Sequence, residues 1–254
     1  VPHYLSGIIL NQGDRIMIDK MVGKTEVALY GLAYSIGMLV QLFISGMNSA
    51  LTPWMYSKIK KGDIRSMRKV LQLLSIVVVG IAVALMLISP ELVLIFGSPK
   101  YREAVYVIPP VAASVFFIFI YNILSMPQFY YEKTQFLMAA SMAAAGANVV
   151  LNFIFIRLFG YIAAGYTTLA CYMLYSVGHY IVSKQILVNE GIQENLMNPG
   201  FLLACSVFLI GASIICNLIF PYRILRYAIL LASAGLVFWK KELLLKTMAD
   251  IRKK

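Results

Sequence analysis

Two ionisable side chains, Asp14 and Arg15, stand inside the apolar stretch with which the sequence opens. A carboxylate can hold a proton or a cation, and a guanidinium can neutralise an anion. Together with Asn11 they follow a helical i, i+3, i+4 spacing, which places all three on one face, about 14–20 Å along a helix that starts at Pro2. At that depth in a membrane a polar stripe faces other helices or a wet cavity. It therefore predicts either a transport path or polar contacts that only hold the helices together.

Side-chain amides form the second candidate set. Gln41 and Asn48 are seven residues apart, Asn148 and Asn152 are four apart, and Asn122 stands alone. Spacings of seven and four put each pair on one helix face. Buried amides in membrane proteins commonly join helices by hydrogen bonds. The donor and acceptor of each amide would equally suit a path for a sugar, so both interpretations stay open.

The sequence lacks the motifs that mark an enzyme or a metal protein. His3 and His179 have no second ligand at metal-binding spacing, and the three cysteines lie in apolar runs without a CxxC motif. Neither a Walker motif nor a GxSxG motif occurs. We therefore predict no metal ion, no cofactor and no catalytic residue.

The elements that position these residues are membrane helices. The 254 residues are 61% hydrophobic and only 13% charged, with a mean hydropathy of +0.80. A soluble domain carries about a quarter charged residues. Stretches of about 20 apolar residues, the length that crosses a bilayer, occur eight times. They cover residues 4–22, 27–51, 71–96, 104–127, 135–156, 161–182, 200–220 and 224–239. The expected fold is an all-α integral membrane protein with about eight transmembrane helices.

The basic residues predict an orientation. If the eight spans alternate, fourteen of the 22 Lys and Arg lie on one side and seven on the other, with Arg15 inside the first span. Basic residues accumulate on the cytoplasmic side. We therefore expect the 57–69 loop and the C-terminal tail to be cytoplasmic. These two basic segments are topology determinants or, alternatively, sites for membrane lipid headgroups. They contain no aromatics that could stack on bases, so the net charge of +11 does not indicate nucleic acid.

Residues 2–37 resemble polysaccharide exporters of the Wzx type, the lipid-linked oligosaccharide flippases of the multidrug/oligosaccharidyl-lipid/polysaccharide (MOP) superfamily. The likeness rests on Pro2, His3, Leu5, Asn11, Asp14-Arg15-Ile16-Met17, Gly23, Ala28-Leu29-Tyr30 and Ala33-Tyr34-Ser35. In that family this block opens the second six-helix lobe. The resemblance implies a MATE-like lobe over residues 1–183, a cytoplasmic linker over 184–199, and two further helices with a basic tail over 200–254. It also implies a whole protein of 12 or 14 helices.

The resemblance further implies a function. Two lobes enclose a cavity and alternate in access, so that a polyprenyl-diphosphate-linked oligosaccharide (an O-antigen, capsule or exopolysaccharide repeat unit) crosses the cytoplasmic membrane of a prokaryote. Arg15 would neutralise part of the diphosphate, and Asp14 would bind the coupling H⁺ or Na⁺. The implied partners are the missing N-terminal lobe and the polysaccharide polymerase and export machinery.

Three other functions stay open on the sequence. One is an ion-coupled multidrug or cation antiporter of the same fold, although a mid-span Arg15 favours an anionic substrate. Another is an integral-membrane polysaccharide polymerase or acyltransferase, which would need larger extracytoplasmic loops. The third is a membrane scaffold, which the charged residues of the first span disfavour.

Overall fold

A computed structural model describes the backbone of residues 2–239 and the side chains of residues 12–233 and 235. This part of the chain is all-helical. Its helices are α1 (Pro2–Met21), α2 (Lys24–Gly37), α3 (Leu39–Lys60), α4 (Ile64–Phe96), a 3-10 segment (Pro99–Val107) that leads into α5 (Ile108–Tyr130), α6 (Gln135–Phe159), α7 (Ala163–Asn189), α8 (Pro199–Ile219) and α9 (Arg223–Trp239). Because α2 and α3 form one bent segment, each of the eight predicted spans corresponds to one helical segment. The predicted fold class is confirmed.

Five of the described segments are long and apolar enough to cross a membrane. They are Lys24–Lys60, Ile64–Phe96, Pro99–Tyr130, Gln135–Phe159 and Pro199–Ile219. The other three predicted spans correspond to α1, which is rich in polar residues, to α7, and to α9, which has only 17 residues. The helices extend beyond several predicted spans, since α4 starts at Ile64 and α7 continues to Asn189.

Local sequence explains where several helices start and stop. The Asp63 carboxylate accepts a hydrogen bond from the Ser66 backbone N–H at 3.3 Å and so caps α4. The Asn198 side chain caps α8 in the same way, with Pro199 at the first helical position. Gly160 ends α6 with a φ of 74°, a left-handed conformation that glycine adopts without strain.

Helix α5 is the centre of the bundle. It is almost wholly buried and packs against α3, α4, α7 and α8, while α6 packs against α1 and α7. Helices α8 and α9 both contact α4, so the two last helices lie on the same bundle as the first six segments. The structure therefore encloses α5 and leaves α1, α6 and α8 at the periphery.

The connections fall at two opposite ends. At one end, the start of the 3-10 segment that follows α4 and the connection from α8 to α9 line the same cavity. At the other end, Arg68 Nε donates to the Asn195 carbonyl oxygen at 2.7 Å. The alternation of spans used to predict the orientation therefore matches the helical segments, and the choice of the cytoplasmic end stays a prediction.

The basic 57–69 segment is mostly helical rather than a loop, because α3 ends at Lys60 and α4 begins at Ile64. Lys58 is buried, and its Nζ lies 2.6 Å from Asp63 Oδ2. Lys58 is thus paired with Asp63, whose side chain is 40% exposed, at this end of the bundle. The basic tail, residues 240–254, lies outside the described residues.

Candidate functional site

Asp14 is fully buried and lies at a junction of four helices. Its Oδ2 accepts hydrogen bonds from Tyr30 Oη of α2 at 2.5 Å and from Thr168 Oγ1 of α7 at 2.8 Å. Its Oδ1 accepts a hydrogen bond from Asn152 Nδ2 of α6 at 2.5 Å. One carboxylate of α1 therefore links the three helices that surround it, and we call this cluster the Asp14 network.

The amides of α6 extend the Asp14 network. Asn152 Nδ2 also lies 3.1 Å from Asn148 Oδ1, and Thr167 Oγ1 lies within hydrogen-bond distance of Asn152 Oδ1. Asn148, Asn152 and Thr168 are fully buried and Thr167 nearly so. The network thus gathers carboxylate, amide and hydroxyl oxygens.

The pattern of α6 explains how its amides reach Asp14. The buried residues of α6 recur at helical spacing along one stripe: Leu137, Ser141, Ala144, Ala145, Asn148, Asn152 and Ile156. The opposite side exposes large apolar side chains such as Val150 and Phe153, which suit contact with lipid. Small residues on the stripe let α6 approach α1 and α7 closely, so its two amides lie inside the bundle.

The Asp14 carboxylate has no counter-cation among the described side chains. The ion pairs found within 4.0 Å join Lys58 to Asp63 and Glu91 to Arg223 and Arg226. A buried charge needs a partner, because its transfer from water is costly. Asp14 lies seven residues, about 10 Å, before the end of α1. The network is therefore inside the bundle, nearer the end at which α1 stops.

Arg15 points to a different place from Asp14. It is half-buried, its Nη1 donates to Gln12 Oε1 at 2.7 Å, and its guanidinium carbon lies 5.3 Å from the centre of the Tyr34 ring. Gly31 of α2 lies beside it, at a distance where a Cβ would make only an ordinary contact of 3.8 Å with Arg15 Nε. No carboxylate of the described chain lies within 4.0 Å of Arg15. The guanidinium thus lies beside an aromatic ring at the surface of α1 and α2.

A protein-family model described as MatE matches residues 5–154, which is more than half of the chain. The chain belongs to the MatE family. MatE family members are membrane transporters rather than enzymes. The matched residues include α1 and α2 almost entirely and most of α6, and so include Asp14, Tyr30 and both amides of the network.

Two proteins of Haemophilus influenzae are similar to this MatE-family chain. An "Uncharacterized membrane protein" is 31% identical over 134 residues, covering 50% of this chain and 32% of that protein. "Lsg locus putative protein 1" is 28% identical over 148 residues, covering 55% of this chain and 35% of that protein. The chain therefore matches about a third of the length of these relatives. No solved structure matches it.

The structure brings together only some of the candidate residues of this MatE-family chain. Asp14, Asn148 and Asn152 meet in the Asp14 network, whereas the half-buried Gln41, Asn48 and Asn122 donate no hydrogen bond to it among the described residues. The Gln41 Oε1 is buried and has no hydrogen-bond partner in the described part of the chain. The backbone of Asn11 is helical, but its side chain lies outside the described residues, as does that of His3.

Sequence reasoning missed four polar partners. Three of them belong to the Asp14 network: Tyr30, Thr167 and Thr168. The fourth is Glu91 inside α4, which forms a bidentate ion pair with Arg226 of α9. The adjacent Thr167 and Thr168 within an apolar span could have been recognised in the sequence. Neighbouring residues of a helix point in different directions, so the two hydroxyls can contact two different helices. Tyr30 carries no such signal, since tyrosine is common in membrane helices of any role.

Proposed function

We propose that the chain is the second lobe of a carrier that flips polyprenyl-diphosphate-linked oligosaccharide across the cytoplasmic membrane of a prokaryote by alternating access. The observation that carries this proposal is Arg15: a guanidinium within a helix of a MatE-family chain, with no carboxylate of the described chain within 4.0 Å. A cation is costly in hydrocarbon and needs an anion or water. A cavity between two lobes, entered by a diphosphate, supplies both.

The surroundings of Arg15 suit a diphosphate headgroup. Its Nη1 is held by Gln12, and its guanidinium lies beside the Tyr34 ring, which leaves other N–H donors for phosphate oxygens. The exposed Ser35 lies one helical turn from Gly31, and its hydroxyl donates to the Gly31 carbonyl at 2.8 Å. This side of α1 and α2 therefore offers polar groups beside Arg15 that a headgroup could contact.

We assign the coupling ion to the Asp14 network. Carboxylate, amide and hydroxyl oxygens are ligands for hard cations, and a carboxyl also carries a proton. Because the described chain gives Asp14 no counter-cation, H⁺ or Na⁺ would neutralise it. Binding of that ion would weaken some of the hydrogen bonds that Tyr30, Thr168 and Asn152 donate, and so would alter how α1 packs on α2, α6 and α7.

Two aromatic rings connect the ion site to Arg15. Tyr30 donates to Asp14, and its ring centre lies 5.8 Å from that of Tyr34, against which Arg15 packs. When an ion weakens the Tyr30 hydrogen bond, the two tyrosines can shift together. Occupancy of Asp14 would thereby change the position of Arg15 in the cavity, which is the coupling that an ion-driven flippase requires.

The rest of the carrier follows from the proposed lobe. An N-terminal lobe would close the cavity. The 57–69 segment and the C-terminal tail would lie in the cytoplasm. The polymerase and export machinery would act on the transported product. Multidrug or cation antiport is the competing function of the same fold. Its site would favour acids over cations at the cavity wall, so Arg15 supports the anionic substrate.

The test is a deletion strain of the source organism. We expect lipid-linked repeat units to accumulate on the cytoplasmic face, and the full-length gene to clear them. Arg15→Gln in the full-length protein should fail to clear them although it is inserted at the normal level, whereas Lys20→Gln on the same helix should succeed. Normal repeat-unit export together with a rise in drug sensitivity would instead assign the protein to antiport.

A further inference from the structure

A polar cavity of about 890 Å³ lies at the end of the bundle where α4 passes into the 3-10 segment and where α9 begins. It is separate from the Asp14 network and uses none of its residues. Six ionisable side chains line it: Glu91, Lys100, Arg102, Glu103, Arg223 and Arg226. Four of them are basic and two acidic, so the cavity has an excess of two positive charges.

The acidic side chains of this cavity do not neutralise most of its cations. Both oxygens of Glu91 are bound by Arg226, whose Nη1 and Nη2 each lie 2.8 Å from one of them. Arg223 Nε is 4.0 Å from Glu91 Oε1, and the Arg223 side chain is 71% exposed. Lys100, Arg102 and Glu103 form no ion pair among the described residues. Lys100 and Arg102 are therefore available to an anion. So are the two Nη groups of Arg223, whose Nε donates to Tyr227 Oη at 3.3 Å.

Arg226 gives the cavity a fixed, buried donor. It is 3% exposed, and its Nη1 also donates to the Leu87 carbonyl oxygen at 2.5 Å. Its Nε is buried and has no hydrogen-bond partner among the described residues. The guanidinium is thus held in one orientation by Glu91, and it keeps one N–H unused in the wall of the cavity.

The rim of the cavity is apolar where the helices would meet the membrane surface. Leu94, which lines the cavity, is 58% exposed, and Ile224, next to Arg223, is 86% exposed. Basic pockets between helix ends bind the head groups of anionic lipids, whose chains need such apolar flanks. A free phosphate ion would gain nothing from the apolar rim.

We propose that this cavity binds the phosphate group of an anionic lipid, with Lys100, Arg102 and Arg223 contacting the phosphate and the buried Arg226 supporting them. The volume is that of a site for a small ligand, which is large enough for a phosphorylated head group. A bound lipid would bridge α4, the 3-10 segment and α9. The site does not depend on the flippase proposal, because bilayer phospholipids carry the same group.

The experiment compares lipid binding to purified protein and two variants by native mass spectrometry and by melting temperature. The site variant carries Lys100→Gln, Arg102→Gln and Arg223→Gln. The matched control carries Lys24→Gln, Lys133→Gln and Lys184→Gln, which are exposed cations outside this cavity and outside the basic 57–69 segment. Added lipids are phosphatidylglycerol and phosphatidylcholine, and inorganic phosphate is tested as a competitor.

We expect the site variant to bind phosphatidylglycerol at least about tenfold more weakly than the unmodified protein, since each cation near a membrane surface adds to anionic lipid binding. The control should lose less than about twofold, and phosphatidylcholine should bind weakly to all three proteins. Equal losses in the two variants, or equal binding of the two lipids, would overturn the proposal. Saturation by inorganic phosphate with no preference for the lipid would overturn the lipid assignment.

Discussion

Asp14 and Arg15 are adjacent in the sequence, but their side chains lie in two different environments. The Asp14 carboxylate is fully buried and accepts hydrogen bonds from α2, α6 and α7, whereas the Arg15 guanidinium lies at the surface beside Tyr34. Successive residues of a helix point about 100° apart, so one helix can present an acid to its neighbours and a cation to a cavity. If the proposed roles hold, ion binding and substrate binding are separated within one turn of α1.

Asp14→Asn should remove ion binding while preserving the shape of the side chain. If Na⁺ is the coupling ion, the melting temperature of the wild type should rise with NaCl relative to choline chloride, because a ligand stabilises the state that binds it. The variant should show no such rise, and its transport should fall at least about tenfold.

The control for this prediction is Asp19→Asn, an exposed acid on the same helix. It should retain both the Na⁺ response and transport. If the wild type does not respond to Na⁺, transport that depends on an imposed pH gradient and is lost in Asp14→Asn would assign the proton. Normal transport by Asp14→Asn under both gradients would contradict the ion site.

Arg15→Gln should affect the substrate and spare the ion. Glutamine keeps hydrogen bonding to Gln12 but removes the positive charge, so binding of a diphosphate lipid should weaken about tenfold or more. The ion-dependent rise in melting temperature should persist, because Arg15 makes no hydrogen bond to Asp14. Binding of a lipid-linked substrate to the purified variant measures the first effect. Unchanged affinity for the diphosphate lipid would contradict the role of Arg15.

The all-helical fold class was predictable because helix-length stretches with few charges recur along most of the sequence. Eight apolar stretches became eight helical segments, and even the polar first stretch, residues 4–22, lies almost wholly within α1. The ends were harder to predict. Helix α4, for example, begins in basic residues that precede its apolar stretch, so hydropathy does not show where the helix starts. The N-cap residue Asp63 does mark that start.

The Asp14 network was predictable only within single helices. The four-residue spacing of Asn148 and Asn152 fixes their shared face, since that spacing closes a helical turn. That this face meets Asp14 depends on the packing of α6 against α1, 138 residues away in the sequence. Tyr30 and Glu91 were missed for the same reason: their partners are set by tertiary contacts that no local pattern encodes.

Asn152→Ala should destabilise the bundle, because one amide serves three partners. Its loss leaves Asp14 Oδ1, Asn148 Oδ1 and Thr167 without the group they contact, at a cost of about 2 kcal/mol in the free energy of unfolding. Asn122→Ala is the matched control, since the half-buried Asn122 amide donates to no described residue, and it should change that free energy by less than about 0.5 kcal/mol. Denaturant titration in detergent measures both. Equal effects of the two substitutions would mean that the network adds no stability.

Gly37→Ala should disturb the contact that fixes α2 against α5. A Cβ at Gly37 would lie 2.6 Å from Val111 Cγ1 and 2.9 Å from Val111 Cβ, so Val111 or one of the two helices must shift. Overpacking of this kind costs about 1–3 kcal/mol. Because α2 carries Tyr30, the shift should also weaken the hydrogen bond to Asp14 and reduce the ion-dependent rise in melting temperature.

The control for Gly37→Ala is a glycine substitution that should raise, rather than lower, the free energy of unfolding. Gly46 of α3 is exposed, and a Cβ at that position would meet no described atom within 4 Å. Gly46→Ala should therefore raise the free energy of unfolding by roughly 0.5–1 kcal/mol through helix propensity. Combining Gly37→Ala with Val111→Ala removes the nearer clash and should recover part of the loss. Stabilisation by Gly37→Ala alone would show that α2 can move away from α5 without cost, and that the position of Tyr30 does not depend on this contact.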